Sequence, residues 1–465
     1  MQAPRTLSST FVARRGALLD KLRSPALLAS GALRSRNYAA NTYPFRANSH
    51  FLYLVGAGLH DAALLLADDK TTLFVVPEQP GEALWDGPKP SLDELRELHQ
   101  IDAVRPMASI DDVLGARAAE AATLPPQDAA TCAWLSQRLG RSVRPRSATS
   151  LALDSQDAAL ADAMIALRLQ HDAAAVAQLG WAGEVTARAH VAGMQATRSA
   201  TSEAQVFGAM MGVLRASDHV DAFRPIVSVH GEVLHNVAHD NPLRPGDVLL
   251  ADVGGETPEG WAGDVTRVWP VSGTFSPTQR AIYEVVLSAE KAAIAMVRPG
   301  VRYRHVHDAA KRAIVQGLRD LSIFRGDVDG LLARGAAALF FPHGIGHLLG
   351  LDVHDMEDLG DRAGYAPGRM RSTAFGDCYL RLDRDLVPGM AVTIEPGFYQ
   401  VPAIVGDETY TGPLGADLRR DELAKYADVR GIRIEDDVLV TDGEPTVLTA
   451  GVPKDPDEVE RLVQG

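Results

Sequence analysis

The first part of the chain alternates short apolar runs with amphipathic stretches, which predicts alternating strands and helices. Residues 11–23 place apolar side chains at helical spacing with basic residues between them. Residues 91–99 predict a second helix, with Ser91 as its N-cap and Glu94 completing a capping box. This alternation over about 150 residues indicates an α/β domain. Three runs have the composition of strands: residues 25–30, 62–66 and 72–76.

A change in composition predicts where this domain ends. Residues 43–56 carry aromatic side chains between turn formers, and such stripes usually belong to a core rather than to a ligand site. The region after residue 125 is rich in Ala, Ser, Asp and Pro, around one short helix predicted at 129–139. We therefore place the boundary near residue 155, with an N-terminal domain of residues 1–155 and a second domain of residues 156–465.

The second domain begins with alanine-rich amphipathic stretches and continues with β-prone runs. The amphipathic stretches predict helices at 158–180, 184–196 and 202–214, the last with Ser202 as a possible cap. Two short β-rich runs follow, at 226–231 and 248–253.

The second domain also repeats one of its own patterns. Residues 243–252 and 386–395 both have a Pro-Gly turn, four β-prone residues and an acid seven residues after the proline. Each copy is followed by a second acid-bearing run, which contains Asp264 in the first copy and Glu435 in the second. Two echoes in the same order predict a duplicated unit with a pseudo-two-fold axis, near which the acids meet.

Residues 341–355 hold three histidines and two aspartates among glycines and leucines. Burying imidazoles in such an apolar frame is costly unless each one has a partner. Taken alone, His-Gly-x-Gly-His is as typical of a capped turn as of a site. Eight of the fourteen histidines, however, fall between His230 and His354, which locates the chemistry in the second domain.

Five residues qualify as metal ligands: Asp252, Asp264, His347, Glu395 and Glu435. An exposed strand acid is the simpler interpretation of Asp264 or Glu435 alone, but four clustered carboxylates need a compensating cation. The absence of cysteine disfavours a structural zinc site. Bridging carboxylates hold two ions ~3.5–4 Å apart, with a water or hydroxide between them as nucleophile. Hard oxygen ligands favour Mn²⁺, with Co²⁺, Zn²⁺ or Fe²⁺ as alternatives.

Charge and cysteine content exclude some partners and compartments. The net charge of −14 over 465 residues argues against nucleic acid or an anionic membrane as the main partner. No apolar run approaches the ~18 residues that span a bilayer, and the first residues have no signal-type apolar core. Two cysteines, Cys132 and Cys378, form no disulfide framework. We therefore expect a reduced, cytoplasmic protein.

At these residues the chain resembles the dimetal pita-bread peptidases, which include methionine aminopeptidases, prolidases and Xaa-Pro aminopeptidases (aminopeptidase P). The motifs that carry the resemblance occur in the family's order: LLADVGGE, GDVTRVWP, HGIGHLLGLDVHD, TIEPGFY and GIRIEDD. The N-terminal stretch YPFRANSHFLYLVG resembles the corresponding domain of Xaa-Pro aminopeptidases, which methionine aminopeptidases lack and prolidases match less well. The resemblance implies an α/β (α+β) fold, with a creatinase-like N-terminal domain before a C-terminal pita-bread domain with pseudo-two-fold symmetry.

The resemblance also implies how the ligands divide between two metal ions. Asp252 would chelate one ion, Asp264 and Glu435 would bridge both ions, and His347 and Glu395 would hold the other. Glu395 would also handle the proton of the bridging water.

Four more residues are candidates for the catalytic machinery. His235 matches the family's substrate-side histidine, and His343 and His354 match the two histidines that flank the metal histidine. Arg433 lies two residues before Glu435, so strand alternation aims both side chains at the same face. Its guanidinium could orient a ligand carboxylate or the substrate, and the simpler alternative is a surface arginine.

The implied function is metal-dependent hydrolysis of the bond between an N-terminal residue and a following proline. Prolidase activity on Xaa-Pro dipeptides is the first alternative, and a metal-free binding module is the second. The implied partners are peptides with proline as second residue and further copies of the chain, in a homodimer or homotetramer. Residues 356–385 lie outside the alignable motifs and are expected to shape the substrate entrance.

Overall fold

A computed structural model describes residues 3–145 and 153–465 of the chain. Its contacts divide the chain into two compact units. The first consists of Met1–Ala175 and Met356–Ala363, and the second of Val176–Asp355 and Gly364–Gly465. The domain boundary predicted near residue 155 lies at the beginning of the helix Ser155–Arg168, within the first unit.

The first unit is built on a mixed four-stranded sheet. Its helices and strands are α1 (Ser8–Leu19), β1 (Ala26–Gly31), α2 (Ser49–Val55), β2 (Ala62–Ala67), β3 (Lys70–Val75), α3 (Ala83–Asp86), α4 (Leu92–His99), β4 (Ala103–Pro106), α5 (Ile110–Leu114), α6 (Ala129–Leu139) and α7 (Ser155–Arg168). The strand order is β1-β2-β3-β4, with β2 antiparallel to both of its neighbours and β4 parallel to β3. The three predicted strands and the helix at 129–139 are confirmed.

Local signals in the sequence account for two of these helices. In α4, the Ser91 side chain accepts a hydrogen bond from the backbone N–H of Glu94, and the Glu94 carboxylate accepts one from the backbone N–H of Ser91. The predicted capping box is therefore confirmed. The aromatic stretch forms α2, which begins after the cap Asn48 and ends at Gly56, whose φ of 72° favours glycine. Within this stretch Phe51 is fully buried, as a core residue should be.

The other helices lie mostly in the second unit. They are α8 (Ala173–Thr197), α9 (Glu203–Ala216), α10 (Pro277–Met296), α11 (Tyr303–Asp320), α12 (Val328–Ala333), α13 (Ala336–Phe340), α14 (Asp361–Gly364), α15 (Pro402–Val405), α16 (Glu408–Thr411), α17 (Arg420–Leu423) and α18 (Pro456–Gln464).

The predicted break between helices at residues 181–183 is wrong. Helix α8 runs through Gly180 and Gly183, and the chain breaks earlier, between α7 and α8, where the Asp172 carboxylate accepts a hydrogen bond from the backbone N–H of Ala175. A side-chain Cβ at Gly183 would lie 2.9 Å from the carbonyl oxygen of Leu448. This glycine therefore serves the close approach of a neighbouring segment rather than the end of a helix.

The strands of the second unit repeat one pairing pattern. They are β5 (Val220–Asp221), β6 (Ile226–Ser228), β7 (Val248–Asp252), β8 (Gly255–Glu256), β9 (Thr266–Pro270), β10 (Ala391–Ile394), β11 (Gly397–Tyr399), β12 (Gly431–Arg433), β13 (Asp436–Leu439) and β14 (Thr446–Val447). One three-stranded sheet has the order β6-β7-β9 and the other β10-β13-β14. In each copy of the sequence repeat, the first strand pairs antiparallel with the strand that follows the second acid, β7 with β9 and β10 with β13.

Two further findings concern membranes and disulfides. Among the helices within residues 3–145 and 153–465, none combines the length and the apolar character that a bilayer crossing requires. Cys132 and Cys378 are both free thiols, so neither cysteine contributes a covalent cross-link to the fold.

Candidate metal centre

The four predicted acidic ligands lie at strand ends in the two equivalent sheets. Asp252 is the last residue of β7, and Asp264 lies two residues before β9 begins. Glu395 directly follows β10, and Glu435 lies between β12 and β13. The sequence repeat thus places one pair of acids on each half of the second unit.

Glycines allow the segments after Asp252 and before Asp264 to touch. A Cβ at Gly254 would lie 1.8 Å from the carbonyl oxygen of Gly263, a separation that no side chain could occupy. The two backbones therefore pass each other in direct contact, which requires glycine at this position. This contact brings the first two acids to the same place.

Three of the five predicted ligands form a tight buried cluster. Ligand atoms of Asp264, His347 and Glu435 all lie within 4.8 Å of one another. The Nε2 atom of His347 is 3.4 Å from Asp264 Oδ2 and 3.7 Å from Glu395 Oε1. Oxygen and nitrogen ligands at this spacing are suited to divalent metal ions.

The His347 ring is oriented so that a lone pair faces the acids. Its Nδ1 lies 3.0 Å from the carbonyl oxygen of Leu348, which can only accept a hydrogen bond, so Nδ1 carries the proton. The lone pair is then on Nε2, the atom that points toward Asp264 and Glu395. Metal-binding histidines are commonly fixed in this way by a carbonyl group on the other ring nitrogen.

Burial and mutual repulsion raise the pKa values of three acids at the site. Burial, together with the Asp252 carboxylate, raises the pKa of Asp264 well above its usual range. Burial and the neighbouring acids Asp264 and Glu395 do the same to the pKa of Glu435. Burial also raises the pKa of Glu395, an effect that the His347 ring partly offsets. Desolvated acids that repel one another form a site that a multivalent cation stabilises.

One carboxylate oxygen of Asp252 has no hydrogen-bond donor in the described part of the chain. Within residues 3–145 and 153–465, no group donates to the buried Asp252 Oδ1, whereas Oδ2 accepts a hydrogen bond from Arg433 Nη2 at 2.5 Å. A buried anionic oxygen without a partner is rare in a folded protein. It is available as a metal ligand, so the donor set as a whole fits divalent ions.

Arg433 is buried and connects several site residues. Besides Asp252, it donates to Thr266 Oγ1 at 2.8 Å and to the Tyr399 hydroxyl at 3.0 Å. The Thr266 hydroxyl in turn donates to Glu435 Oε2 at 2.6 Å. The simpler alternative of a surface arginine is therefore wrong, because Arg433 is 5% exposed and its charge compensates part of the acidic charge.

His343 continues this hydrogen-bond chain. Its Nδ1 donates to the Gly344 carbonyl oxygen at 2.8 Å, so Nε2 accepts the hydrogen bond from the Tyr399 hydroxyl at 2.9 Å. Burial and the nearby Arg433 charge lower the pKa of His343 to about 3, which keeps the ring neutral. Burial raises the pKa of Tyr399 to about 12, so its hydroxyl stays a donor to His343.

A cavity of about 570 Å³ contains all nine predicted site residues in its lining. His354 packs edge-on against the His347 ring, with 4.3 Å between their centroids, while His235 is exposed on the cavity wall. Residues 356–363 belong to the first unit, but Phe375, Tyr379 and Arg381 from the same unaligned segment line this cavity.

Sequence reasoning missed Tyr399 and Thr266, which join the candidate residues by hydrogen bonds. Both lie in motifs that stand out for their acids: Tyr399 ends TIEPGFY, and Thr266 follows Asp264 by two residues. Strand alternation could have found Thr266, because residues two apart on a strand share a face. Tyr399 lies on a separate strand, β11, whose pairing with β12 is not visible in the sequence.

Comparison with known proteins identifies the family. Residues 177–442, more than half of the chain, match metallopeptidase family M24. The chain belongs to metallopeptidase family M24. In this M24 chain, residues 11–124 match the aminopeptidase P N-terminal domain. The resemblance inferred from the motifs, and the α/β (α+β) fold that it implied, are thereby confirmed.

Named relatives of this M24 chain share most of its length. It is similar to a probable Xaa-Pro aminopeptidase from Talaromyces marneffei, with 34% identity over 434 residues, 91% of this chain and 88% of the relative. It is also similar to Escherichia coli aminopeptidase P with the inhibitor Pro-Leu, at 28% identity, 99% coverage of both chains and a TM-score of 0.78. A zinc-substituted form of that enzyme in complex with product matches at 29% identity, with the same coverage and TM-score.

Proposed function

We propose that this chain is an Xaa-Pro aminopeptidase, which hydrolyses the peptide bond between an N-terminal residue and a following proline with the help of divalent metal ions. The observation that carries the proposal is the buried cluster of Asp264, His347 and Glu435 within a substrate-sized cavity. The full-length relatives that are named for this activity support it.

Five residues would hold two ions. Asp252 would bind one ion, Asp264 and Glu435 would bridge the two, and His347 and Glu395 would bind the second. Bound divalent ions supply an activated water nucleophile at neutral pH and polarise the scissile carbonyl. Because the ligands are mainly carboxylates, we expect Mn²⁺ to be preferred, with Co²⁺ or Zn²⁺ as substitutes.

The remaining groups would handle protons and the substrate. Glu395 would accept a proton from the attacking water, and His354 would deliver one to the proline nitrogen as that nitrogen leaves. His343, held neutral by burial, would orient the Tyr399 hydroxyl at the site, from which its Nε2 accepts a hydrogen bond. Arg433 would keep Asp252 oriented, since its guanidinium already donates to that carboxylate.

A panel of peptides of different length tests the substrate class. We expect Xaa-Pro-Xaa tripeptides and longer peptides to be cleaved after the first residue, with higher kcat/KM than Xaa-Pro dipeptides. Replacing the proline by alanine is expected to remove most activity, because a site shaped to the ring loses its complementarity. The measurement is kcat/KM by chromatography of products, with added Mn²⁺.

Prolidase activity is the second candidate, because two more cations line the cavity. Arg224 is exposed there, and Arg381 is half-buried. An arginine so placed could bind the carboxylate of a dipeptide, a contact that is lost when the chain continues. Efficient turnover of Xaa-Pro dipeptides together with inert tripeptides would replace the aminopeptidase proposal by this one.

His235 is proposed to act on the substrate side and not as a metal ligand. We expect His235→Ala to keep two bound metals while kcat/KM falls by about 10²–10⁴-fold, the usual range for a positioned acid–base group. Metal analysis and steady-state kinetics check the two parts separately. His239→Ala is the matched control, since His239 stacks on Phe207 and is absent from the cavity lining. Loss of metal from His235→Ala would move this residue into the ligand set, and a change within twofold would make it a packing residue.

We also propose a quaternary state and a compartment for this chain. We expect a homodimer or homotetramer, and a reduced cytoplasmic setting in agreement with the two free cysteines. Nucleic acids and membranes are not expected partners, given the net charge of −14.

A further inference from the structure

A second group of buried charges lies beside the candidate metal ligands. It consists of Arg267, Glu290, Asp436 and Lys454, which we call the inner charge cluster. Arg267, Glu290 and Asp436 are fully buried, and only the Lys454 side chain reaches the surface, with 24% of its area exposed. None of the four residues lines the cavity of the candidate site. The cluster therefore needs an explanation other than contact with substrate or metal.

The guanidinium of Arg267 forms hydrogen bonds to several backbone segments. It donates to the carbonyl oxygens of Glu435 at 2.6 Å, Val452 at 3.0 Å and Pro453 at 3.0 Å. A further donor reaches Asp436 Oδ1 at 2.8 Å. A fully buried arginine with this many partners is rigid, so it fixes the position of whatever it contacts.

The Asp436 carboxylate accepts hydrogen bonds from three side chains. Oδ1 accepts from Arg267 and from the Thr449 hydroxyl at 2.7 Å, and Oδ2 accepts from Lys454 Nζ at 2.6 Å. Lys454 also donates to Glu290 Oε1 at 2.5 Å. Lys454 thus lies between two buried carboxylates, and its removal leaves them facing each other with one fewer cation.

The inner charge cluster reaches both proposed bridging ligands through the backbone. Asp436 directly follows Glu435, whose carbonyl oxygen is bound by Arg267 and whose N–H donates to the Thr266 carbonyl at 3.0 Å. On the other side, the Asp264 N–H donates to Asp437 Oδ2 at 3.0 Å. A shift at the beginning of β13 would therefore displace both bridging carboxylates at once.

The final segment of the chain completes this arrangement. Residues 449–454 contribute the Thr449 hydroxyl, the carbonyl oxygens of Val452 and Pro453, and the Lys454 ammonium. The match to family M24 ends at residue 442, so these groups lie beyond it. None of residues 449–454 lines the cavity of the candidate site, so any influence on the metal ligands passes through other residues.

We propose that residues 449–454 are a positioning element for the metal centre, and that Lys454 acts on the bridging acids through Asp436 and Arg267. The proposal rests on the proposed function, because it assumes that Asp264 and Glu435 bind metal. Lys454 is a positioning residue: it neutralises the carboxylate beside Glu435 and so keeps the beginning of β13 in place. Outer partners of metal ligands are known to influence metal affinity in this way.

The test compares metal affinity in matched variants. Metal-free wild-type protein and Lys454→Met are titrated with Mn²⁺ alone in a calorimeter, and we expect the dissociation constant to rise about 10- to 100-fold in the variant. Lys454→Arg, which keeps the cation, is expected to restore most of the affinity. Arg280→Met is the control, because Arg280 joins α10 to α18 through Asp457 without touching the inner charge cluster. This control is expected to bind Mn²⁺ within about threefold of wild type, because an exposed ion pair contributes little to stability.

Each outcome decides between positioning and general stability. The proposal is wrong if Lys454→Met binds Mn²⁺ as tightly as wild type, or if Arg280→Met weakens binding to the same extent. If Lys454→Met does not fold, Thr449→Val against Thr449→Ser gives the same comparison, because only the first loses the hydroxyl that Asp436 accepts. Failure of wild-type protein to bind Mn²⁺ would instead contradict the proposed function.

Discussion

Removal of divalent ions from the purified protein is expected to abolish hydrolysis of Xaa-Pro peptides, and addition of Mn²⁺ is expected to restore it. The acids of the cluster are buried, repel one another and gain compensating charge from bound cations. Activity is measured on one tripeptide before chelation, after exhaustive dialysis against a chelator, and after adding back each metal. Full activity of metal-free protein would contradict both the site and its chemistry.

Single ligand substitutions sharpen this test. Asp264→Ala and Glu395→Ala are expected to lose metal and activity together. The loss of metal affinity should exceed the about 10- to 100-fold that follows when an outer partner of a metal ligand is removed. Asp383→Asn is the control, a fully buried acid that pairs with Arg302 and does not line the cavity. A ligand variant that retained two ions and near-normal turnover would show that its assigned role is wrong.

The metal-free protein is expected to lose more stability with rising pH, above the usual carboxyl range of about 4, than the metal-loaded protein does. In the folded state the raised pKa values of Asp264 and Glu435 retain protons that the unfolded chain has already released. Unfolding then releases protons, so the free energy of unfolding falls by about 1.4 kcal/mol per pH unit for each retained proton. Thermal denaturation of chelated protein at several pH values provides the measurement.

A metal-loaded sample serves as the control. Groups outside the metal site contribute alike to both samples: burial lowers the pKa of His190, and burial together with Asp436 raises the pKa of Glu290 to about 8. With saturating Mn²⁺ the decline should be smaller by the contribution of Asp264 and Glu435, because the ions take the place of their protons. An equal pH dependence of the chelated and the metal-loaded protein would contradict the electrostatic description of the cluster.

The sequence predicted that these acids lie close together, and it did so for a specific physical reason. Acids in β-prone runs are costly unless paired, so Asp252, Asp264, Glu395 and Glu435 were conspicuous, and the repeat indicated that they meet. The structure brings all four into one cavity lining together with His347. Their assignment as ligands remains a proposal, which the metal analyses above test.

What the sequence could not predict depends on contacts between distant segments. The sequence predicted separate helices at 158–180 and 184–196, because the segment that approaches Gly183, at Leu448, lies 265 residues further along the chain. Arg267 and Lys454 looked like ordinary charged residues, since nothing local indicates that Asp436 is buried between them. Tyr399 became visible as a site residue only when its hydroxyl was found between Arg433 and His343.

The wide spacing of the site along the chain has a consequence for biosynthesis. Arg433 and its partner Asp252 are 181 residues apart, and Thr266 is 169 residues from Glu435. Domains are synthesised from the N-terminus, so the first pair of acids leaves the ribosome long before the second pair exists. With the proposed ligand set, a half-made chain would have no complete site for an ion. Metal would then be bound only after the second pair of acids has been synthesised.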